Sequence, residues 1–174
     1  MHISSLALKI LKLDELWWLV SPQNPLKTKS DMASFKERMR VAKKIAAYNP
    51  NIVVSDLENC LSTCHTVDTI KSLKAKFPEI SFVWVMGADL LVQVPQWKRW
   101  RALFRIVPIA IFARPAYSAR VLSGKAARHF KGARVARYRV GSLAKMRPPA
   151  WAYMRTRLNR QSATRIRAKD GHGE

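Results

Sequence analysis

The stretch Ser81–Asp89, SFVWVMGAD, joins an apolar run of strand length to a glycine and then to an acid. Ligands of open α/β sheets sit outside the carboxyl ends of the strands. Gly87 would let backbone come close to a ligand there, and Asp89 could accept hydrogen bonds from ribose hydroxyls. Trp97, a little further along the chain, offers a flat face to a ring. The stretch therefore predicts a nucleotide site at the end of a buried strand.

Predicted strands and helices alternate on both sides of this stretch. Such alternation predicts a parallel sheet with helices on both faces, and 174 residues fit a single domain over residues 1–174. Asp31 or Ser30 is expected to cap the second helix, and Pro108 to mark an edge strand or the first turn of its strand. The predicted strands span 15–20, 52–54, 81–86, 106–113 and 151–157, and the predicted helices 4–13, 32–48, 66–77, 96–104 and 117–130, with a last helix opening at Ser162.

The composition favours a globular protein of a reducing compartment. Apolar residues make up 48% of the chain, which is typical of globular proteins. No apolar stretch reaches the roughly 18 residues of a membrane span, and the first residues do not resemble a secretory leader. Cys60 and Cys64 form neither a zinc cage nor a disulfide scaffold. These observations predict a cytoplasmic protein without a membrane partner.

Positive charge dominates the second half of the chain. The formal net charge is +21, and residues 101–174 hold 18 basic residues against two acids. Such a field attracts nucleotides, nucleic acid or acidic membrane surfaces. A solvated, solubilising surface is the alternative interpretation, because charge alone does not identify a partner.

Two further segments could hold phosphates. In SATRIR, residues 162–167, Ser162 would open a helix whose free amides favour an anion, Thr164 adds a hydroxyl, and Arg167 could bind a phosphate with both arms. Taken alone, this segment is better explained by a plain helix cap before a basic tail. Lys27 comes after the first predicted strand and would lie at the ligand-facing edge, although a solvated lysine is the simpler interpretation.

Other residue types carry little chemical signal. Trp97 and Trp100 are three apart on a predicted helix and would share one face, where core packing is the usual role. His65, His129 and His172 lack metal-ligand spacing, and neither a Walker-type nor a Gly-x-Gly-x-x-Gly loop is present. The residues therefore predict no metal site and no catalytic side chain.

Taken together, these pieces resemble the nicotinate-nucleotide adenylyltransferase family of bacteria. The motifs occur in the family's order over nearly the whole chain: LDELWWLVSPQNPLK at 13–27, TVDT at 66–69, MGAD at 86–89, QWKRW at 96–100, IAIFARP at 109–115 and SATRIR at 162–167. The resemblance implies a Rossmann-like nucleotidyltransferase fold. It also implies transfer of the adenylyl group of ATP to nicotinate mononucleotide, giving deamido-NAD and pyrophosphate with the help of Mg²⁺.

The resemblance also implies roles for particular residues. ATP would be bound by six of them: Gly87 and Asp89 at the adenosine and its ribose, and Ser162, Thr164, Arg167 and, less securely, Lys27 at the phosphates. Nicotinate mononucleotide would be bound by Trp97, stacked on the ring, and by the segment that contains Thr66. His65 stands where many relatives have a tyrosine, so the residue next to Thr66 in the pocket for nicotinate mononucleotide differs from the family's.

The start of the chain departs from the family. The family begins with a strand and a loop of the form Gly-x-Phe-x-Pro-x-His-x-Gly-His, whose histidines bind the phosphates in the transition state. Counting back from Leu13, Met1 falls immediately after the last of these histidines, so His2 is not given that role. The expectation is a fragment with a misplaced start or a decayed copy. Losing donors aimed at developing charge costs a factor of roughly 10² to 10³ each, so little activity is expected. Losing the first strand exposes apolar faces of its neighbours, Trp17 and Trp18 among them, so poor stability is expected too.

Two other functions stay open. One is a sister adenylyltransferase that acts on another phosphorylated acceptor, such as phosphopantetheine. The other is a nucleic-acid-binding remnant that uses the basic segment around Arg134, Arg137, Tyr138 and Arg139, although nucleic acid is the less favoured partner. A homo-oligomer is compatible with the sequence.

Overall fold

The computed structural model describes residues 1–21, 33–61, 63, 65–114 and 120–155. Within these ranges, five strands alternate with seven α-helices and short 3-10 segments. The strands are β1 Leu16–Leu19, β2 Ile52–Ser55, β3 Trp84–Gly87, β4 Ile109–Phe112 and β5 Trp151–Met154. The helices are α1 His2–Leu11, α2 Phe35–Ala46, α3 Leu57–Cys60, α4 Thr66–Lys76, α5 Ala88–Gln93, α6 Trp100–Ile106 and α7 Lys125–His129. The 3-10 segments are Val94–Gln96, Arg120–Ser123, Lys131–Ala133 and Arg137–Lys145.

Every strand pairing is parallel, as the alternation of strands and helices predicts. β1 pairs with β2 in one group, and β3, β4 and β5 pair in that order in a second group. Trp84 is opposite Ile109, which is opposite Trp151. The prediction of an α/β fold built on parallel strands is therefore confirmed.

The two groups of strands lie between the same two hydrophobic layers. Trp17 of β1 and Trp84 of β3 contact one cluster, and Leu16 of β1 and Val85 of β3 contact the other. Alternate residues of a strand point to opposite faces of a sheet, so both strands separate the same pair of layers. Among the described residues, no strand joins the free edge of β1 to the free edge of β3. The two groups are thus halves of one layer with a gap between them.

Burial falls towards this gap. All four residues of β4 and of β5 are buried, whereas all four residues of β1 are only half-buried. Strands of parallel sheets are normally covered on both faces. Trp17 keeps partial cover from the edges of Phe77 and Phe82, whose ring centroids are 5.5 and 5.8 Å away. Trp18 Nε1 donates to Ser4 Oγ of α1 over 3.0 Å.

Aromatic side chains of α6 pack against Phe130, the residue that follows α7. The rings of Phe104 and Phe130 stack with centroids 4.5 Å apart, and Trp100 meets both of them edge-on. Trp151 is 1% exposed, and its Nε1 donates to the Phe130 carbonyl over 2.7 Å. This buried hydrogen bond ties β5 to the end of α7.

Several local predictions need correction. Ser34 caps α2, with its Oγ accepting from Glu37 N over 3.2 Å, while Asp31 and Ser30 lie outside the described residues. Pro108 directly precedes β4, which is an inner strand, so the edge alternative is wrong. The final helix predicted from Ser162 lies outside the described residues. No helix in the described part of the chain is both long and apolar enough to cross a bilayer.

Two matched substitutions test the buried hydrogen bond of β5. Trp151→Phe leaves the Phe130 carbonyl without its donor, so we expect the free energy of unfolding to fall by about 1–3 kcal/mol. Trp84→Phe is the control, because the buried Nε1 of Trp84 has no hydrogen-bond partner among the described residues. We expect that change to stay within about 1 kcal/mol of the parent. Urea unfolding followed by far-UV circular dichroism measures both, and equal losses would contradict the assignment.

Candidate functional site

Gly87 lies where β3 ends and α5 begins, with extended backbone (φ −77°, ψ 158°). Two side chains crowd the space above its Cα. A Cβ at this position would lie 2.4 Å from Asp89 Oδ1 and 2.6 Å from Arg114 Nε. In this arrangement, only glycine leaves room for the Asp89 carboxylate and the Arg114 guanidinium at the end of β3. The atoms that approach the Gly87 backbone here are those of Asp89 and Arg114, and the predicted approach of a ligand to this glycine stays a prediction.

Asp89 and Arg114 form an ion pair over this glycine. Arg114 Nε lies 3.3 Å from Asp89 Oδ1, and the aspartate side chain is 22% exposed while that of the arginine is 50% exposed. Oδ1 itself is buried and makes no hydrogen bond to any described residue. A buried carboxylate oxygen without a hydrogen-bond donor is uncommon in folded proteins. This one offers an acceptor to a donor such as a ribose hydroxyl.

Arg114 is a site residue that the sequence reasoning missed. It lies two residues beyond the end of β4, the strand next to β3. The signal was available in the sequence, because carboxyl ends of neighbouring parallel strands share one edge of the sheet. An arginine directly after an apolar run is therefore a candidate ligand residue in this fold class.

Thr66 and Trp97 are linked through a second ion pair. Thr66 is the first residue of α4, and both side chains are half-buried. In the same turn of α4, Asp68 accepts a short hydrogen bond from the guanidinium of Arg99, two residues after Trp97. The pair holds the segment that carries Trp97 against the start of α4. Neither partner of this ion pair was among the predicted site residues.

The predicted helical pairing of Trp97 with Trp100 is wrong. Trp97 has extended backbone after the 3-10 segment Val94–Gln96, and Arg99 adopts a left-handed conformation (φ 51°) immediately before α6. Trp100 is only 7% exposed and belongs to the core. The two indoles are thus not on one helix, although half-buried Trp97 packs against the same hydrophobic cluster that contains Trp100.

A buried acid lies at the carboxyl ends of β1 and β2. Glu58 of α3 is 9% exposed. Burial raises the pKa of this carboxyl, and a hydrogen bond with Ser21, just beyond β1, acts in the opposite direction. The sequence reasoning gave Glu58 no role. Its contact with Ser21 links α3 to the residues that follow β1.

Four predicted phosphate ligands cannot be placed. Lys27, Ser162, Thr164 and Arg167 all lie outside the described residues. Within the described ranges, no group of three or more His, Cys, Asp or Glu side chains could hold a metal ion. The structure thus brings together Gly87, Asp89 and Arg114, and separately joins the turn of Thr66 to the segment of Trp97. The short helix α5 and the 3-10 turn after it connect the two groups along the chain.

Comparisons with known proteins agree with this architecture. A sequence model of the cytidylyltransferase-like family matches residues 1–169. A protein of Parvibaculum lavamentivorans named "Probable nicotinate-nucleotide adenylyltransferase" is 43% identical over 171 residues, which are 98% of this chain and 85% of the relative. A protein of the same name from Cereibacter sphaeroides is 42% identical over 167 residues, 96% of this chain and 88% of the relative.

Solved structures support the fold. Nicotinic acid mononucleotide adenylyltransferase of Plasmodium falciparum, complexed with APC, superposes with a TM-score of 0.66 at 16% identity, covering 96% of this chain and 74% of that one. The same enzyme complexed with NaAD gives a TM-score of 0.63 at 18% identity, covering 96% and 76%. The extent of the sequence match and the parallel-strand architecture lead to one conclusion: the chain belongs to the nicotinate-nucleotide adenylyltransferase family, within the cytidylyltransferase-like fold.

Proposed function

We propose that this chain transfers the adenylyl group of ATP to nicotinate mononucleotide. A phosphate oxygen of the mononucleotide attacks the α-phosphorus of ATP, the bond to the β,γ-phosphates breaks, and deamido-NAD and pyrophosphate leave. The observation that carries this proposal is the constellation of Gly87, Asp89 and Arg114 at the end of β3, in a chain that matches its named relatives over nearly its full length. Such a reaction depends on positioning and on stabilising phosphate charge.

Gly87 and Asp89 are proposed to bind the adenosine end of ATP. The absence of a side chain at Gly87 lets the Asp89 carboxylate lie at the end of β3, and the Oδ1 atom without a hydrogen-bond donor suits a ribose hydroxyl. Arg114 has a positioning role in this proposal, because its guanidinium keeps the carboxylate over the strand end. Phosphate binding is assigned to Ser162, Thr164, Arg167 and Lys27 from their motifs alone.

Trp97 and Thr66 are proposed to bind the nicotinate mononucleotide. The half-buried indole of Trp97 offers a face for stacking on a pyridine ring. The ion pair of Asp68 with Arg99 keeps this face next to the turn that carries Thr66. Phosphopantetheine, the alternative acceptor, has no aromatic ring to stack there.

Mg²⁺ is proposed to enter as the counterion of ATP. Mg²⁺ is commonly held by substrate phosphates and a few carboxylates rather than by a cage of protein ligands. The free thiol of Cys60 fits a reducing compartment such as the cytoplasm, where ATP is available.

We also propose that residues 1–174 form one nucleotidyltransferase domain whose layer accepts one more parallel strand. The free edges of β1 and β3 support this proposal, and so does the fall in burial towards them. A strand in this gap would also carry any loop after it to the carboxyl edge, close to Asp89. The family's two histidines belong to such a loop.

Competition between acceptors tests the reaction itself. With ATP, nicotinate mononucleotide and phosphopantetheine in one mixture, we expect deamido-NAD as the adenylylated product, measured by liquid chromatography and mass spectrometry. Trp97→Leu should raise KM for nicotinate mononucleotide by about tenfold, since stacking is worth about 1–3 kcal/mol per ring. KM for ATP should not change. A preference for phosphopantetheine would contradict the proposal, and so would adenylylation of neither acceptor by a chain that carries the family's N-terminal strand and histidine loop.

Two glycine substitutions test the adenosine site. In Gly87→Ala, the new methyl group collides with Asp89 and Arg114, so we expect KM for ATP to rise by about tenfold or more, equivalent to about 1.4 kcal/mol. Gly132→Ala is the matched control, because a Cβ there meets nothing within 4 Å. Steady-state kinetics with varied ATP measure both variants. An unchanged KM in Gly87→Ala, with the protein still folded, would remove Gly87 from the site.

Adding a strand to the chain tests whether the gap between β1 and β3 accepts one. We fuse in front of Met1 a β-strand followed by the family's Gly-x-Phe-x-Pro-x-His-x-Gly-His loop. Tm should rise because β1 and β3 gain a partner, and turnover should rise by roughly 10² or more because phosphate donors are restored. A matched fusion with both loop histidines replaced by glutamine should gain Tm without the gain in turnover. If neither fusion raises Tm, the gap is not a strand site.

A further inference from the structure

The second half of the chain combines many basic residues with a long stretch of sequence that has no acids. No acidic residue occurs between Asp89 and Asp170, whereas 20 Lys and Arg residues do. Every basic side chain that the structure describes in that stretch is exposed. Of these, only Arg99 and Arg114 form an ion pair with an acid in the described part of the chain. The remaining charges are thus available to an external anion.

A cluster of aromatic rings brings part of this charge together. The Trp100 ring lies 5.5 Å from His129 and 6.0 Å from Phe130, and the Phe130 carbonyl accepts from the Trp151 indole. Arg101 lies over the Trp100 ring at 4.9 Å, and Arg134 lies over the Trp151 ring at 5.6 Å. These contacts connect α6, α7 and the start of β5 in one surface. We call it the basic rim and define it by its exposed cations, Arg101, Arg105, Arg128, Lys131 and Arg134.

The basic rim extends to the edge of the sheet opposite the nucleotide site. Arg134 bridges to Trp151, the first residue of β5, and Arg105 lies in the last turn of α6, which leads into β4. Asp89, in contrast, lies two residues beyond Gly87, the last residue of β3. The length of a four-residue strand, about 10 Å, separates the two edges. The proposed adenylyl transfer therefore does not use this end of the rim.

We propose that the basic rim binds single-stranded nucleic acid. Closely spaced phosphates match a row of exposed guanidinium and ammonium groups that lack acidic neighbours. Arg137–Arg139 extends the rim along the chain, and Tyr138 between the two arginines is 88% exposed. An exposed ring between arginines is what proteins use to stack unpaired bases.

An acidic membrane is the weaker match for this surface. Peripheral membrane sites combine basic residues with exposed large apolar side chains that enter the bilayer. Among the described residues, Tyr138 is the one exposed large hydrophobic side chain in or next to the rim. The others, such as Val41, Val53 and Val92, lie on other elements.

Fluorescence anisotropy with a labelled oligouridine of about 20 nucleotides, longer than one typical site, tests the proposal across a salt series. Two triple variants are compared: Arg105→Gln, Arg128→Gln, Lys131→Gln in the rim, and Lys36→Gln, Lys43→Gln, Lys44→Gln on α2, which packs against β2. Both lose the same charge, and all six side chains are exposed. We expect the rim triple to weaken binding by about tenfold or more and to lower the salt slope by about 2. The α2 triple should leave both nearly unchanged.

Tyr138→Ala separates base stacking from charge. It should weaken oligouridine binding by about tenfold without changing the salt slope, and should not affect binding of inorganic polyphosphate. Equal losses in the two triples would mean diffuse attraction and would overturn the proposal. Tighter binding to vesicles of phosphatidylcholine and phosphatidylserine in equal parts would assign the rim to a membrane instead. Adenylyl transfer should be unchanged in the rim triple, so failure here leaves the proposed reaction intact.

Discussion

The register of β3 on β4 is the constraint on which the candidate site depends. Gly87 pairs with Phe112, so the residues two positions beyond each of them, Asp89 and Arg114, leave the same edge side by side. A slip of one residue would turn the side chains of β4 to the opposite face and move the guanidinium away from the carboxylate. Alternate residues of β4 are buried in the two different hydrophobic clusters. Burial on both faces therefore holds the register, and the register places the ion pair over the glycine.

The residues proposed to bind ATP and those proposed to bind nicotinate mononucleotide lie next to strands that differ in burial. The adenosine side lies on β3 and β4, next to fully buried strands, whereas α4 and Thr66 come after β2 in the half whose strands are only partly covered. Local opening is easiest where apolar contacts are few. Three kinds of contact connect α4 to the segment that follows α5. Ile70 and Leu73 are buried in the same cluster as Trp100, Lys74 Nζ donates to the Ile106 carbonyl over 2.8 Å, and Asp68 pairs with Arg99. The residues proposed to bind the acceptor are thus held mainly by helix packing and side-chain contacts outside the sheet.

Short-range pattern in the sequence predicts much of the fold, but it misses features that depend on contacts between distant segments. Apolar runs predict the parallel strands, and the Gly87–Asp89 stretch predicts a strand end open to a ligand, because both rest on periodicity and on the rule for carboxyl edges. The local pattern does not predict the environment of Trp97. Arg99 has a left-handed conformation that breaks the helical spacing between Trp97 and Trp100, and nothing in the local sequence requires that conformation. Arg114 becomes a site residue only through the pairing of β4 with β3.

The ionic strength decides whether the charges of the basic rim act on a nucleotide near Asp89. At physiological ionic strength the Debye length is about 8 Å, comparable to the roughly 10 Å of strand that separates Arg134 from the edge near Asp89. Exposed charges of the far rim are therefore largely screened from a nucleotide at Asp89. At low salt the screening length grows to about 30 Å at roughly 0.01 M, and the whole basic half then attracts ATP and competing polyanions alike. A polyanion on the rim should thus disturb the nucleotide site at low salt and leave it nearly independent at physiological salt.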